Sequence, residues 1–127
     1  MKNFRELTIW QRSHRLTLAI YEATRRFPKE ELYGLTSQTR RASASIPTNI
    51  AEGCGRDGDA ELKRFLQIAM GSAAELEYHL QLAHLQLAAD LGLLPSDTFA
   101  RLNAEVVEVK KMLTAFIRKL RADAFAR

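Results

Sequence analysis

A chain of 127 residues, 46% hydrophobic and 27% charged, has the make-up of one soluble globular domain, and no apolar run approaches the roughly 20 residues of a membrane span. Nineteen Lys and Arg against fifteen Asp and Glu leave a net charge of +4, which permits an anionic partner such as nucleic acid without establishing one. The lone Cys54 excludes an internal disulfide, and the polar start MKNFRELTIWQR excludes a secretory signal, so a cytoplasmic location is expected.

No run of alternating β-branched residues appears, so the expected class is all-α. The first helix is predicted over 9–27. Thr8 and Gln11 have the spacing of a capping box, and Ile9, Leu16, Ile20, Ala23 and Phe27 share one face. Pro28 disfavours helical geometry at Phe27 and ends it. A flanking set, Trp10, His14, Thr17 and Tyr21, is expected to cover a neighbouring helix.

The second helix is predicted over 35–56. Leu35, Thr39, Ala42, Ile46, Ile50 and Gly53 make its core face, and Arg41, Ser45, Thr48, Glu52 and Arg56 a polar one. Arg40, Ala44, Pro47 and Ala51 form a third face, small enough to admit another helix. Pro47 removes one backbone donor and crowds the carbonyl of Ser43, which predicts a bend there, with Ser43 or Thr39 hydroxyls serving the freed groups. Asn49 sits at the core edge and needs hydrogen-bond partners if buried.

The third helix is predicted over 60–91, with Asp59 as its cap and Gly92 at its end. Leu62, Leu66, Ala69, Ala73, Leu76, Leu80, Ala83 and Leu87 alternate steps of four and three, the seam of an antiparallel bundle. The fourth helix, 96–121, repeats that pattern through Phe99, Leu102, Val106, Val109, Leu113, Phe116 and Leu120. The expected architecture is therefore a single domain over 1–127, an antiparallel up-down four-helix bundle with the second helix bent at Pro47.

Catalytic and metal readings are weak. Gly53-Cys54-Gly55-Arg56 lacks a preceding strand and the Gly-Lys-Ser/Thr ending of a phosphate loop. Cys54 has no histidine near it in sequence to act as base. Glu75 and His79, four apart, are two ligands and not a site, and His84 reads as a hydrogen-bonded packing residue. The expectation is no enzyme, no metal and no cofactor.

The signal for a partner is stronger. Gly71, Ala74, Tyr78, Leu82 and Leu85 form a second apolar face on the third helix, opposite the core seam, and predict a homo-oligomer interface. Basic residues recur at Arg12, Arg15, Arg25, Arg26, Arg40, Arg41, Lys110, Lys111, Arg118, Lys119 and Arg121, and an oligomer would multiply any cluster among them. No recognition-helix signature, zinc knuckle or exposed aromatic sheet supports base-specific readout.

FRELTIWQRSHRLTLAIYEATRRFP, YGLTSQTRRASASIPTNIAEGCGR and FLQIAMGSAAELEYHLQLAHLQL together resemble the bacterial four-helix-bundle family encoded in intervening sequences of large-subunit ribosomal RNA genes, sometimes labelled a ribosomal protein. More distantly the chain is similar to the accessory protein of diversity-generating retroelements. The resemblance implies a ring-like assembly, typically a pentamer, with no known enzymatic activity, and the retroelement relatives imply RNA or DNA as partner. Arg40, Arg41 and Arg56 match the family motif and are the candidate nucleic-acid contacts. The leading expectation is a non-enzymatic oligomeric scaffold touching nucleic-acid backbone. The alternative is a protein-interaction scaffold whose basic residues only form ion pairs.

Overall fold

The computed structural model describes residues 2–88 and 93–126, with side chains omitted for 86–88 and 124–126. Four helices carry the fold: α1 (Thr8–Thr24), α2 (Ser37–Cys54), α3 (Asp59–Ala88) and α4 (Ser96–Ala126). Each packs on its chain neighbours, and α1 meets α4 to close an antiparallel bundle. Register follows from specific contacts. Thr17 of α1 reaches Ser43 of α2, Ser45 of α2 meets Ser72 of α3, and Glu77 of α3 meets Lys110 of α4.

The core is the seam that helical spacing predicts. Leu16, Ile20, Ile46, Ile50, Leu66, Ala69, Ala73, Leu76, Leu102, Val106, Val109 and Leu113 are all buried. Ile117, one position beyond the expected Phe116, turns inward on α4 with the predicted Leu120 after it, and Phe116 packs at the margin. The predicted Leu87, residue 91 and Gly92 lie outside the described side chains or residues.

The helix ends differ from expectation in ways that chemistry explains. Thr8 is the first residue of α1 and not its cap; Leu7 holds that place without a side-chain bond, and Gln11 donates instead to the Arg5 carbonyl. The short helical turn Phe4–Glu6, capped by the Asn3 side chain, brings that carbonyl within reach. α1 stops at Thr24, three residues before Phe27, which still turns inward, its backbone N–H donating to the Thr24 carbonyl. Between α1 and α2 the chain makes a tight turn at Lys29–Glu31 and a wide one at Leu32–Thr36.

Asp59 likewise opens α3 from inside the helix, because the Gly58 carbonyl accepts the first bond, from Leu62. Gly58 has φ +85°, a backbone region that other residues occupy at a cost. α4 continues to Ala126, past the expected end at 121.

α2 passes through Pro47 without interruption. The Ser43 carbonyl, which loses its helical donor to the proline ring, accepts from the Thr17 hydroxyl of α1 at 3.0 Å. That donor comes from another helix, whereas the hydroxyls expected to help are engaged elsewhere: Thr39 donates to Leu35 and Ser43 to Arg40. On the other side of α2, Gly53 lets α3 approach closely. A Cβ there would stand 2.9 Å from the Phe65 Cβ and 3.1 Å from Leu62.

Candidate nucleic-acid interface and oligomer face

The three motif arginines do not converge. Arg40 is half-buried and turned to the end of α1, where its Nε donates to the Thr24 hydroxyl at 2.8 Å and its guanidinium covers the Tyr21 ring at 4.8 Å. A cation beside the last turn of α1 complements the negative end of the helix dipole. Arg41 points to α3 and lies 3.9 Å from Glu75. Arg56, beyond the end of α2, pairs with Glu52 at 3.5 Å and stands over Phe65 at 5.2 Å. Arg40 thus ties α2 to α1, while Arg41 and Arg56 remain exposed beside a carboxylate each.

Many other basic residues are also paired. Arg12 makes a two-pronged contact with Glu105 at 3.0 and 3.1 Å, Lys110 bonds Glu77 at 2.9 Å, and Arg25 and Arg64 join Glu22 and Glu61. Arg15, Arg26, Arg101, Lys111, Arg118, Lys119 and Arg121 form no ion pair among the described residues. Arg101 was missing from the sequence-based set. Its only sequence signal is a place four before Glu105 on a helix whose inward stripe runs through Leu102.

The predicted second face of α3 lies on the outside. Gly71, Ala74, Tyr78 and Leu85 are exposed, Tyr78 at 62% and Leu85 at 55%, and Leu82 is half-buried. Ile68, 41% exposed, flanks the stripe, turned about 80° from Tyr78 at helical spacing. A Cβ added at Gly71 would touch nothing within 4 Å. By contrast, the flanking set on α1 is used inside the chain. Trp10 stacks on His14 and meets Phe4 edge-on, Thr17 bonds Ser43, and Tyr21 lies under Arg40.

The remaining candidates, Glu75 with His79 aside, lie apart from one another. Cys54 is 2% exposed, and burial pushes its thiol up from its ordinary value, with Lys2 and the N-terminus opposing; a thiol held in that form is a poor nucleophile. Glu75 lies 3.9 Å from His79 Nε2 as well as from Arg41, and His79 Nδ1 has no hydrogen-bond partner. His84 packs flat on Phe99 at 4.3 Å, but its Nδ1 is unpaired, unlike the hydrogen-bonded role expected for it. Among the described residues no three His, Cys, Asp or Glu side chains converge as metal ligands. Asn49 is served from its own helix: its amide donates to the Ser45 carbonyl and hydroxyl, and Ser45 carries the link on to Ser72 of α3.

These features define an all-helical, antiparallel four-helix protein with one outward apolar face and scattered cationic side chains. The family model described as "23S rRNA-intervening sequence protein" matches residues 5–115. The chain belongs to that family. Among solved structures it is similar to a protein of unknown function of the S23 ribosomal protein family from Bacteroides thetaiotaomicron, at a TM-score of 0.77 and 22% identity over 87% of this chain and 95% of that one. At that identity the likeness shows the fold. None of the curated proteins compared matches the chain. Among the described residues no helix is long and apolar enough to cross a membrane.

Proposed function

We propose that this protein is a non-enzymatic, homo-oligomeric scaffold that contacts RNA or DNA backbone through basic side chains. The observation that carries the assembly is the α3 stripe: Tyr78 and Leu85, seven residues apart on one face of the helix, are each more than half exposed, with exposed Gly71 and Ala74 on the same face. Water contact with contiguous apolar side chains is costly at about 25 cal/mol per Å², and a second copy of the same surface relieves it. The pentamer comes from the family resemblance. Net charge of +4, repeated in each copy, supports the anionic partner. A buried free thiol suits a reducing cytoplasm.

The second reading, a protein-interaction scaffold without nucleic acid, is favoured by the pairing of Arg41 with Glu75 and Arg56 with Glu52. Sedimentation velocity tests the assembly. Wild type is expected to sediment as an oligomer at micromolar concentration, and the Tyr78→Asp/Leu85→Asp variant as a monomer with unchanged helical circular dichroism. Wild type remaining monomeric at high micromolar concentration refutes the assembly. Capture of one protein after nuclease treatment, without affinity for RNA or DNA at low salt, selects the second reading.

A further inference from the structure

Three of the cationic side chains that form no ion pair among the described residues stand together. Two open clefts, one of about 370 Å³ between α1 and α4 and one of about 490 Å³ between the end of α1, the start of α4 and the preceding Leu93, Leu94 and Pro95, share Ala19 and Arg101 and so form one groove. Arg12, Arg15, Arg26 and Arg101 stand along it, contributed by both walls. Two carboxylates are present, Glu22 and Glu105, and each faces another arginine: Glu22 takes Arg25, and Glu105 takes both bonds from Arg12. Arg15, Arg26 and Arg101 are exposed and make no ion pair among the described residues. The floor is Ala19 and Ala23 with Leu16 and Leu102 beneath, short side chains that leave room for a chain to lie between the walls.

The rival cationic cleft, about 420 Å³ at Lys111 and Arg118, has all its lining residues on α4, and its Lys110 is held by Glu77. It offers one wall where the α1–α4 groove offers two.

We infer that the α1–α4 groove is the seat of the phosphodiester backbone, with Arg15, Arg26 and Arg101 as its phosphate contacts in place of Arg41 and Arg56. This rests on the nucleic-acid reading above. From Arg12 to Arg26 the chain advances about 20 Å at the helical rise per residue. With one phosphate per roughly 3.4 Å of duplex axis, and a longer path along the strand itself, the groove holds at most about six phosphates. Guanidinium forks match phosphate oxygens in pairs, and the absence of base-reading elements leaves the contact on the backbone.

Fluorescence anisotropy of one fluorescein-labelled hairpin, made as RNA and as DNA, tests this across a salt series from about 50 to 200 mM. Arg15→Gln/Arg26→Gln/Arg101→Gln is expected to weaken binding at least tenfold at low salt. It should also flatten the slope of log affinity against log salt by about one for each phosphate no longer neutralised. Arg41→Gln/Arg56→Gln is expected to change affinity less than about twofold, and the triple Lys variant of the groove to retain most of it. Equal losses on both hairpins support a backbone contact, and a loss confined to RNA supports the same groove with the 2′-hydroxyl as a further contact. A triple Gln variant that is folded, assembled and binds like wild type overturns the groove while leaving nucleic-acid binding intact. Wild type that binds neither hairpin at low salt overturns the nucleic-acid reading itself, and the groove with it.

Discussion

The α2–α3 seam and the α1–α4 seam are built from similar residues and do opposite things with them. Along α2–α3, small residues draw the backbones together. Gly53 lies against Leu62 and Phe65, and a hydroxyl pair, Ser45 and Ser72, closes at 2.8 Å. Along α1–α4, small residues leave space. Ala19 and Ala23 line a groove, and the helices are bridged across it by an ion pair of two long side chains, Arg12 with Glu105. Small side chains therefore do not specify close packing by themselves. What stands opposite decides: an aromatic and a leucine across from Gly53, the long side chains of Arg101 and Glu105 across from Ala19.

The comparison breaks most readily at its tight side. Gly53→Val is expected to cost about 1–3 kcal/mol in urea unfolding, because the added carbon meets the rigid base of Phe65 and not a flexible tip. Ala19→Val, on the open side, should cost less than about 1 kcal/mol, most of it helix propensity. Equal costs at the two positions would erase the distinction.

A smaller effect sharpens the role of Pro47. Thr17→Val deprives the Ser43 carbonyl of its donor and is expected to cost about 1 kcal/mol. In a Pro47→Ala background the new amide at 47 can serve the same carbonyl, so the Thr17→Val cost should shrink by at least half. A double-mutant cycle showing no coupling would mean that Thr17 stabilises only its own helix, through Ser13.

The smallest effect is at the bridge itself. Both partners of Arg12–Glu105 are partly solvated, so the coupling energy of Arg12→Gln with Glu105→Gln is expected at about 0.2–1 kcal/mol, falling with salt. Removal of Glu105 alone frees a fourth arginine in the groove and should raise affinity for a nucleic-acid hairpin, a change opposite in sign to its effect on stability.

The helices and their inward stripes were legible because burial on a helix recurs every three or four residues, a pattern carried within each segment. The outward face of α3 was legible for the same reason: a second apolar set recurs at helical spacing opposite the first. Helix ends were less so. Thr8 and Gln11 satisfied the capping-box spacing, yet the carbonyl of Arg5, six residues back from Gln11, competed and won. The end of α1 was misplaced because Pro28 marks where a helix must have stopped, not where it does.

Arg40, Arg41 and Arg56 looked like one motif because they flank one stretch of sequence, and the fold sends them to α1, to Glu75 and to Phe65. Arg15 and Arg101 are 86 residues apart in the numbering and line one cleft. By itself the sequence determined that this chain is four amphipathic helices with a spare apolar side, since periodicity is a local property of each helix. Only the tertiary structure decided which cations are neutralised and which stand together. A charge is matched or left bare by what another helix brings beside it, and no spacing along the chain records that.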